Sequence, residues 1–221
     1  MLVVREPAPL PPAAPPPTDP LAGQHVLLVG IHYPPEEGGA APWTATIAAQ
    51  LAEQAASVTV LSGLPHWPDQ QVDERYRGLR RLVLPPANGA GPTLVRLGHH
   101  VPARQTRTSY ARYQVSFARR AVTARLPQRP DVVVGVMPSP GAAAAAARIA
   151  RRHDAQLVIA VHGLVDRGDG SRLPRRLERF ALLRADRVVV TNRALAPAVA
   201  ALGIPWERIT TDLIARPAPH P

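Results

Sequence analysis

Short β-branched runs, most of them apolar from end to end, alternate along this chain with stretches of helical length. Val26 to Ile31, Ser57 to Ser62, Leu94 to Leu97, Asp131 to Val136, Gln156 to Val161 and Asp186 to Thr191 each read as a strand, with Leu79 to Leu84 as a further short one. A strand with one wet face alternates polar and apolar residues. One buried on both faces does not, so these runs belong in a parallel sheet covered on both sides. The intervening Pro42 to Gln54, Arg104 to Leu126, Gly141 to Arg152, Arg172 to Arg184 and Arg193 to Leu202 read as helices. Alternation of this kind implies right-handed crossovers and predicts an α/β fold, a Rossmann-like doubly wound parallel sheet.

At 221 residues and 46% hydrophobic content the chain can bury one core and is short for two domains. Residues 1–24 are Pro/Ala-rich and are expected to form an extended, solvated, disordered arm, because proline fixes φ and lacks the N–H donor. The arm reads as a spacer or as a ligand for a proline-recognising partner. The folded domain is expected over 25–214, with a Pro-rich tail at 215–221. An arginine followed by a proline-dense run is no secretory signal, and no stretch approaches the ~18 apolar residues of a membrane-spanning helix. With no cysteine there is no disulfide framework, thiolate metal site or cysteine nucleophile, and the default compartment is the cytoplasm.

The formal net charge is +10, carried by arginine with no lysine anywhere, which fits the coding bias of a GC-rich genome. Such a surface still attracts phosphates, whether on lipids or nucleotides. In the long helix Tyr110, Tyr113, Phe117, Ala121 and Ala124 share one stripe and are read as its core face. Arg112 and Arg119 fall opposite, with Arg104, Arg107, Arg120 and Arg125 around the remainder. These arginines are either a solvated face or a contact for anionic lipid head groups at the inner face of the plasma membrane. Nucleic acid is not expected as a partner, because the aromatic residues lie on the buried stripe and no reading module accompanies them.

Ligands of such sheets bind beyond the carboxyl ends of the strands. After the first strand comes His32-Tyr33-Pro34-Pro35-Glu36-Glu37-Gly38-Gly39-Ala40-Ala41, then Pro42 at a plausible first helical position. Paired glycines at a helix start let a backbone approach a phosphate, and they can equally just turn the chain. G-x-G-x-x-G and G-K-[ST] are both absent, so this is neither the dinucleotide fingerprint nor a P-loop. Ser139, before the polyalanine run Ala142 to Ala147, either caps that helix or bonds a ligand oxygen. His162 and Asp166 follow the fifth strand, His162 being either structural or a ligand contact. No spacing of histidines and acids resembles a metal site, and no G-x-S-x-G marks a serine nucleophile.

The order of these motifs resembles the N-terminal half of family four glycosyltransferases, enzymes of two-domain GT-B architecture that include bacterial polysaccharide-assembly transferases of the colanic acid type. The residues that carry it are Tyr33-Pro34-Pro35-Glu36 with Gly38-Gly39, the run from Val58 to Pro68 containing His66 and Trp67, and Arg129 to Val133. His162, Ala185 to Thr191 and Leu202 to Ile209 complete it. The resemblance implies one half of a GT-B enzyme, in which Gly38 and Gly39 lie against the donor diphosphate and His162 faces the transferred sugar as the catalytic residue. It further implies that Tyr33, Glu37, His66, Trp67, Ser139 and Asp166 shape the acceptor and sugar pocket. The implied reaction is retaining, with a nucleotide sugar as substrate, a glycan or lipid-linked acceptor, no metal and no other cofactor. The basic pair and second acidic signature of the donor-binding domain are absent from this sequence, so a separate donor-domain chain is an expected partner. The alternative is a non-catalytic remnant or an interaction module at a membrane surface.

Overall fold

The computed structural model describes residues 21–86, 89, 91–104, 106–165 and 172–213. The N-terminal arm up to residue 20, Asp166 and the tail lie outside the described residues. The chain runs β1 (His25–Val29), α1 (Ala41–Ala52), β2 (Ser57–Gly63), β3 (Arg81–Leu84), β4 (Thr93–Leu97), α2 (Arg107–Val122), β5 (Val132–Met137) and α3 (Pro140–His153). It continues with β6 (Gln156–Val161), α4 (Arg172–Leu182), β7 (Arg187–Val190), α5 (Ala196–Ala200) and β8 (Ile209–Thr210). The eight strands form one sheet in the order β3-β4-β2-β1-β5-β6-β7-β8. All neighbours are parallel except β3, which closes one edge antiparallel to β4.

The expected α/β sheet is therefore present, and each expected strand occurs within a few residues of its predicted bounds. Asp131 and Asp186 stand just before their strands: Asp131 Oδ2 accepts from His25 N at 2.8 Å and Asp186 Oδ2 from Leu157 N at 2.7 Å, tying each to the start of a neighbouring strand. Arg104 precedes α2, which begins after Thr106 in a capping box with Ser109. The last predicted helix is a 3₁₀ turn, Arg193–Leu195, running into the short α5.

Alternate residues of β1 feed two cores. Leu27 and Val29 pack with Phe117, Ala143 and Ile149 on one face, and Val26 and Leu28 with Ile47, Ala48 and Leu51 on the other. Leu21, within the stretch expected to form the arm, joins the second core. The polyalanine run sits directly on β5, where Gly135 makes room: a Cβ there would lie 2.9 Å from both Ala146 Cβ and Ile159 Cδ1. Small side chains on both partners let helix and sheet pack in direct contact.

The order reverses at β1: from it the chain first builds β2, β4 and β3 on one side, then returns to place β5 on the other. Where neighbouring crossovers leave in opposite directions a crevice opens at the carboxyl ends of the strands. That crevice lies between the loops after β1 and β5.

Candidate functional site

A cleft of about 200 Å³ occupies the crevice. His32, Gly39 and Ala40 line it from the β1 loop, Ser139 from the β5 loop, His162 from the end of β6, and Tyr113 from α2. Its neighbour, a cavity of about 540 Å³, is walled by Glu36, His66 and Trp67 and by the segment 69–77. Trp67 lines both.

The two glycines of the β1 loop have different reasons to be glycine. Gly38 lies under the Trp67 indole, and a Cβ there would fall 2.1 Å from Trp67 Nε1. Gly39 adopts φ +62° with nothing within 4 Å of a would-be Cβ, and it lines the cleft. The loop then enters α1 with Pro42 in the first turn and no side-chain cap.

Beneath the loop is a buried polar network. Glu36, 5% exposed, accepts through Oε1 from His66 N at 2.7 Å and Trp67 N at 3.1 Å, while Oε2 meets His32 Nδ1 at 2.8 Å. His66 Nδ1 lies 2.7 Å from Leu64 O, so it donates there and leaves Nε2 to accept from the Tyr113 hydroxyl at 2.9 Å. The Tyr113 oxygen is then free to accept from His32 Nε2–H at 3.2 Å. Burial alone would raise the Glu36 carboxyl, but its hydrogen bond with His32, the His32 and His66 charges and the His66 N–H outweigh that and lower it. Burial lowers His66 despite Glu36, and lowers His99, whose ring packs on His66 and Tyr113, to about 3. Burial raises the Tyr113 hydroxyl well above its ordinary value, with Glu36 adding to it.

A second latch comes from β4. Arg96 is 1% exposed; its guanidinium donates to Gly63 O at 3.1 Å and to Pro34 O, and lies 5.8 Å over the Tyr76 ring. Among the described residues it has no ion pair. It therefore ties the β1 loop to the end of β2 through carbonyls alone. Tyr33 sits half-buried beside it, its hydroxyl raised by burial and lowered by Arg96.

His162 is exposed at the end of β6 and stacks on Trp43 of α1, ring centroids 5.5 Å apart at 25°. Ser139 makes no side-chain cap on α3; its hydroxyl donates to Gln114 Oε1 at 3.1 Å, and the same oxygen accepts from Gly141 N at 2.8 Å. The capping expected of Ser139 is thus performed by Gln114 from α2, because Pro140 in the first turn leaves Gly141 N as the donor within reach. Glu37 is exposed, and its neighbour Glu36 is the carboxylate in the network. Arg104, Arg107, Arg112, Arg119 and Arg120 are all exposed.

His32, Glu36 and His66 offer three ligand-type atoms within 4.8 Å of one another. They are drawn from two loops thirty or more positions apart, which is why no local spacing revealed them. The donor set fits a cation poorly. His66 Nδ1 is engaged by Leu64 O, and two backbone N–H groups already point at Glu36 Oε1. Sequence reasoning also passed over Arg96, Tyr113, Gln114 and Trp43 as site residues.

Residues 38–211 match the family described as glycosyl transferase 4-like domain. This chain belongs to that family. The chain is 26% identical over 200 residues to an Escherichia coli K12 protein named as a colanic acid biosynthesis glycosyl transferase, covering 83% of this chain and 48% of that one. Two solved structures share the fold. One, named as a UDP-N-acetylglucosamine 2-epimerase of Listeria monocytogenes, has a TM-score of 0.52 at 15% identity and is matched over 86% of this chain and 45% of its own. The UDP-GlcNAc 2-epimerase of Neisseria meningitidis, solved with UDP-GlcNAc bound, has a TM-score of 0.50 at 13% identity over 84% and 46%. This glycosyl transferase 4-like chain thus spans about half the length of the relatives it matches.

Proposed function

We propose that the chain is the acceptor-side domain of a glycosyltransferase that moves a sugar from a nucleotide-sugar donor to a glycan or lipid-linked acceptor. The observation that carries this reading is the cleft at the strand-order reversal, walled by the glycine loop, the β5 loop and His162, in a chain of this family. Gly39 and the start of α1 receive the donor's diphosphate, where a helix N-terminus and a side-chain-free backbone suit an anion. His162, held flat by Trp43, faces the transferred sugar, and His66 and Trp67 shape the acceptor side. Glu36 and Arg96 act on neither substrate. They hold the two loops at the separation the cleft requires.

The positive groups that stabilise a leaving diphosphate are supplied in this reading by a donor-binding domain, on the same or another polypeptide. The relatives' greater length supports that division of labour. Among the described residues no helix is long and apolar enough to cross a membrane. The exposed guanidiniums of Arg107, Arg112, Arg119 and Arg120 on α2, with Arg104 beside it, offer a peripheral contact with anionic head groups.

The test is sugar transfer from a panel of nucleotide sugars, with this chain alone and with a donor domain encoded nearby. Turnover is expected only in the second case, and His162→Ala should lower it by about 100-fold or more. No turnover with any donor and any partner domain defeats the catalytic reading.

A further inference from the structure

Behind the polar network, on the outer side of the end of β4, is a cavity of about 400 Å³ that neither the cleft nor its neighbour absorbs. Its walls are the turn from Arg77 to Arg80, the segment Gly98 to His100, and Ser116 and Arg120 of α2. The shape is fixed by close backbone contact: a Cβ on Gly98 would lie 2.5 Å from Leu79 O, and Gly98 N donates to Arg80 O at 3.0 Å.

The charge of this cavity is one-sided. Arg77, Arg80 and Arg120 line it with His100, and no carboxylate does. The 540 Å³ cavity differs, with Glu36, Asp69, Asp73 and Glu74 in its walls. Neighbouring arginines are committed: Arg75 to Asp73 at 2.7 Å, Arg81 to Arg125 O at 2.9 Å, and Arg96 to two carbonyls. Arg77 has only an exposed contact with Glu74 at 3.2 Å. Arg80 and Arg120 have no ion pair among the described residues. Burial, with the Arg112 guanidinium adding to it, pushes the His100 imidazole down. Guanidiniums that line one cavity without a carboxylate suit a ligand of several negative oxygens, which their planar forks engage in pairs.

We propose that this cavity is a binding site for a diphosphate-class anion. It adjoins the 540 Å³ cavity at Val72 and Arg77, which line both, and His99 in its wall packs on the polar network, its ring 5.3 Å from that of His66 and 5.1 Å from that of Tyr113. Resting on the transferase reading, the anion is the one carried by the acceptor, whose reactive hydroxyl then reaches the cleft past Trp67.

Inorganic pyrophosphate titrated into the full chain by calorimetry, in about 0.15 M salt so that diffuse attraction is screened, tests the site without requiring turnover. Saturable binding is expected, weakened about tenfold or more in the Arg80→Gln/Arg120→Gln pair, since each loses a charge-assisted contact. A control pair on α4, Arg176→Gln/Arg179→Gln, should change it less than about twofold. Both positions tested are exposed, and circular dichroism verifies folding. No saturation, or equal weakening in both pairs, overturns the proposal. Vesicles with and without phosphatidylglycerol identify the source: capture that pyrophosphate competes away assigns a lipid head group, and pyrophosphate binding without capture assigns a phosphate on a soluble ligand. Loss of transfer with pyrophosphate binding intact counts against the transferase reading and leaves the site standing.

Discussion

Replacing Glu36 tests whether the β1 and β2 loops are held by one carboxylate. In Glu36→Ala the buried His66 N–H loses its only partner among the described residues, at a cost of about 1–3 kcal/mol, and the His32 bond is lost for about 1 more. The Trp67 N–H lies beside the 540 Å³ cavity, where water replaces the lost acceptor at little cost. Destabilisation of about 2–4 kcal/mol is expected for the alanine variant. Glu36→Gln behaves differently. Its amide oxygen keeps both backbone donors, and its NH2 donates to His32 Nδ1. His32 Nε2–H can still donate to Tyr113, and Tyr113 to His66. Every partner is satisfied, so the glutamine variant should lose about 1 kcal/mol or less. Urea unfolding followed by far-ultraviolet circular dichroism measures both. Equal losses in the two variants, or an alanine variant within about 0.5 kcal/mol of wild type, would refute the hydrogen-bond assignment.

Stability should also fall on mild acidification. Burial holds the His99 imidazole at about 3, against an ordinary value near 6.5, so between these values the unfolded chain binds the extra proton and folding weakens as pH drops. His25 and His66 are lowered in the same direction and add to a loss of up to about 1.4 kcal/mol per pH unit for each group; His99→Phe should flatten the slope below pH ~6.5, visible in urea melts at pH 7 and 5.5. Glu36, also lowered, contributes stability that disappears at still lower pH as its carboxylate is protonated, and Glu36→Gln removes that part. Gly135→Ala places a methyl against Ala146 and Ile159 and should cost about 1–3 kcal/mol by overpacking, read as a drop in thermal midpoint. In Gly38→Ala the new methyl displaces the Trp67 indole, which is 41% exposed and free to swing outward, so stability should change by less than about 1 kcal/mol while tryptophan fluorescence shifts.

Much of this fold was legible because parallel strands buried on both faces leave uninterrupted Val/Ile/Leu runs, as in Val132–Met137 and Gln156–Val161. β8 escaped notice because two residues, Ile209 and Thr210, carry no pattern. The loops of the cleft could be located from strand ends alone, but the chemistry within them could not be resolved to single residues. Glu36 and Glu37 are adjacent and identical in sequence, and only the register of the turn decides which one enters the protein. Tyr113 illustrates a second limit. Helical spacing correctly placed it on the inward stripe, yet its hydroxyl completes a hydrogen-bonded chain between His66 and His32, a role set by three elements meeting in space. Arg96 runs against its surroundings: an arginine in an apolar strand signals exposure, and here it is among the largest fully buried side chains.

Gly38 has a consequence beyond its own backbone. Because it carries no side chain, the Trp67 indole can lie close against the loop, in the wall of both the 200 Å³ cleft and the 540 Å³ cavity. Moving that single ring outward would join two compartments into one continuous trough. The length of that trough is therefore set by the rotamer of one half-exposed tryptophan.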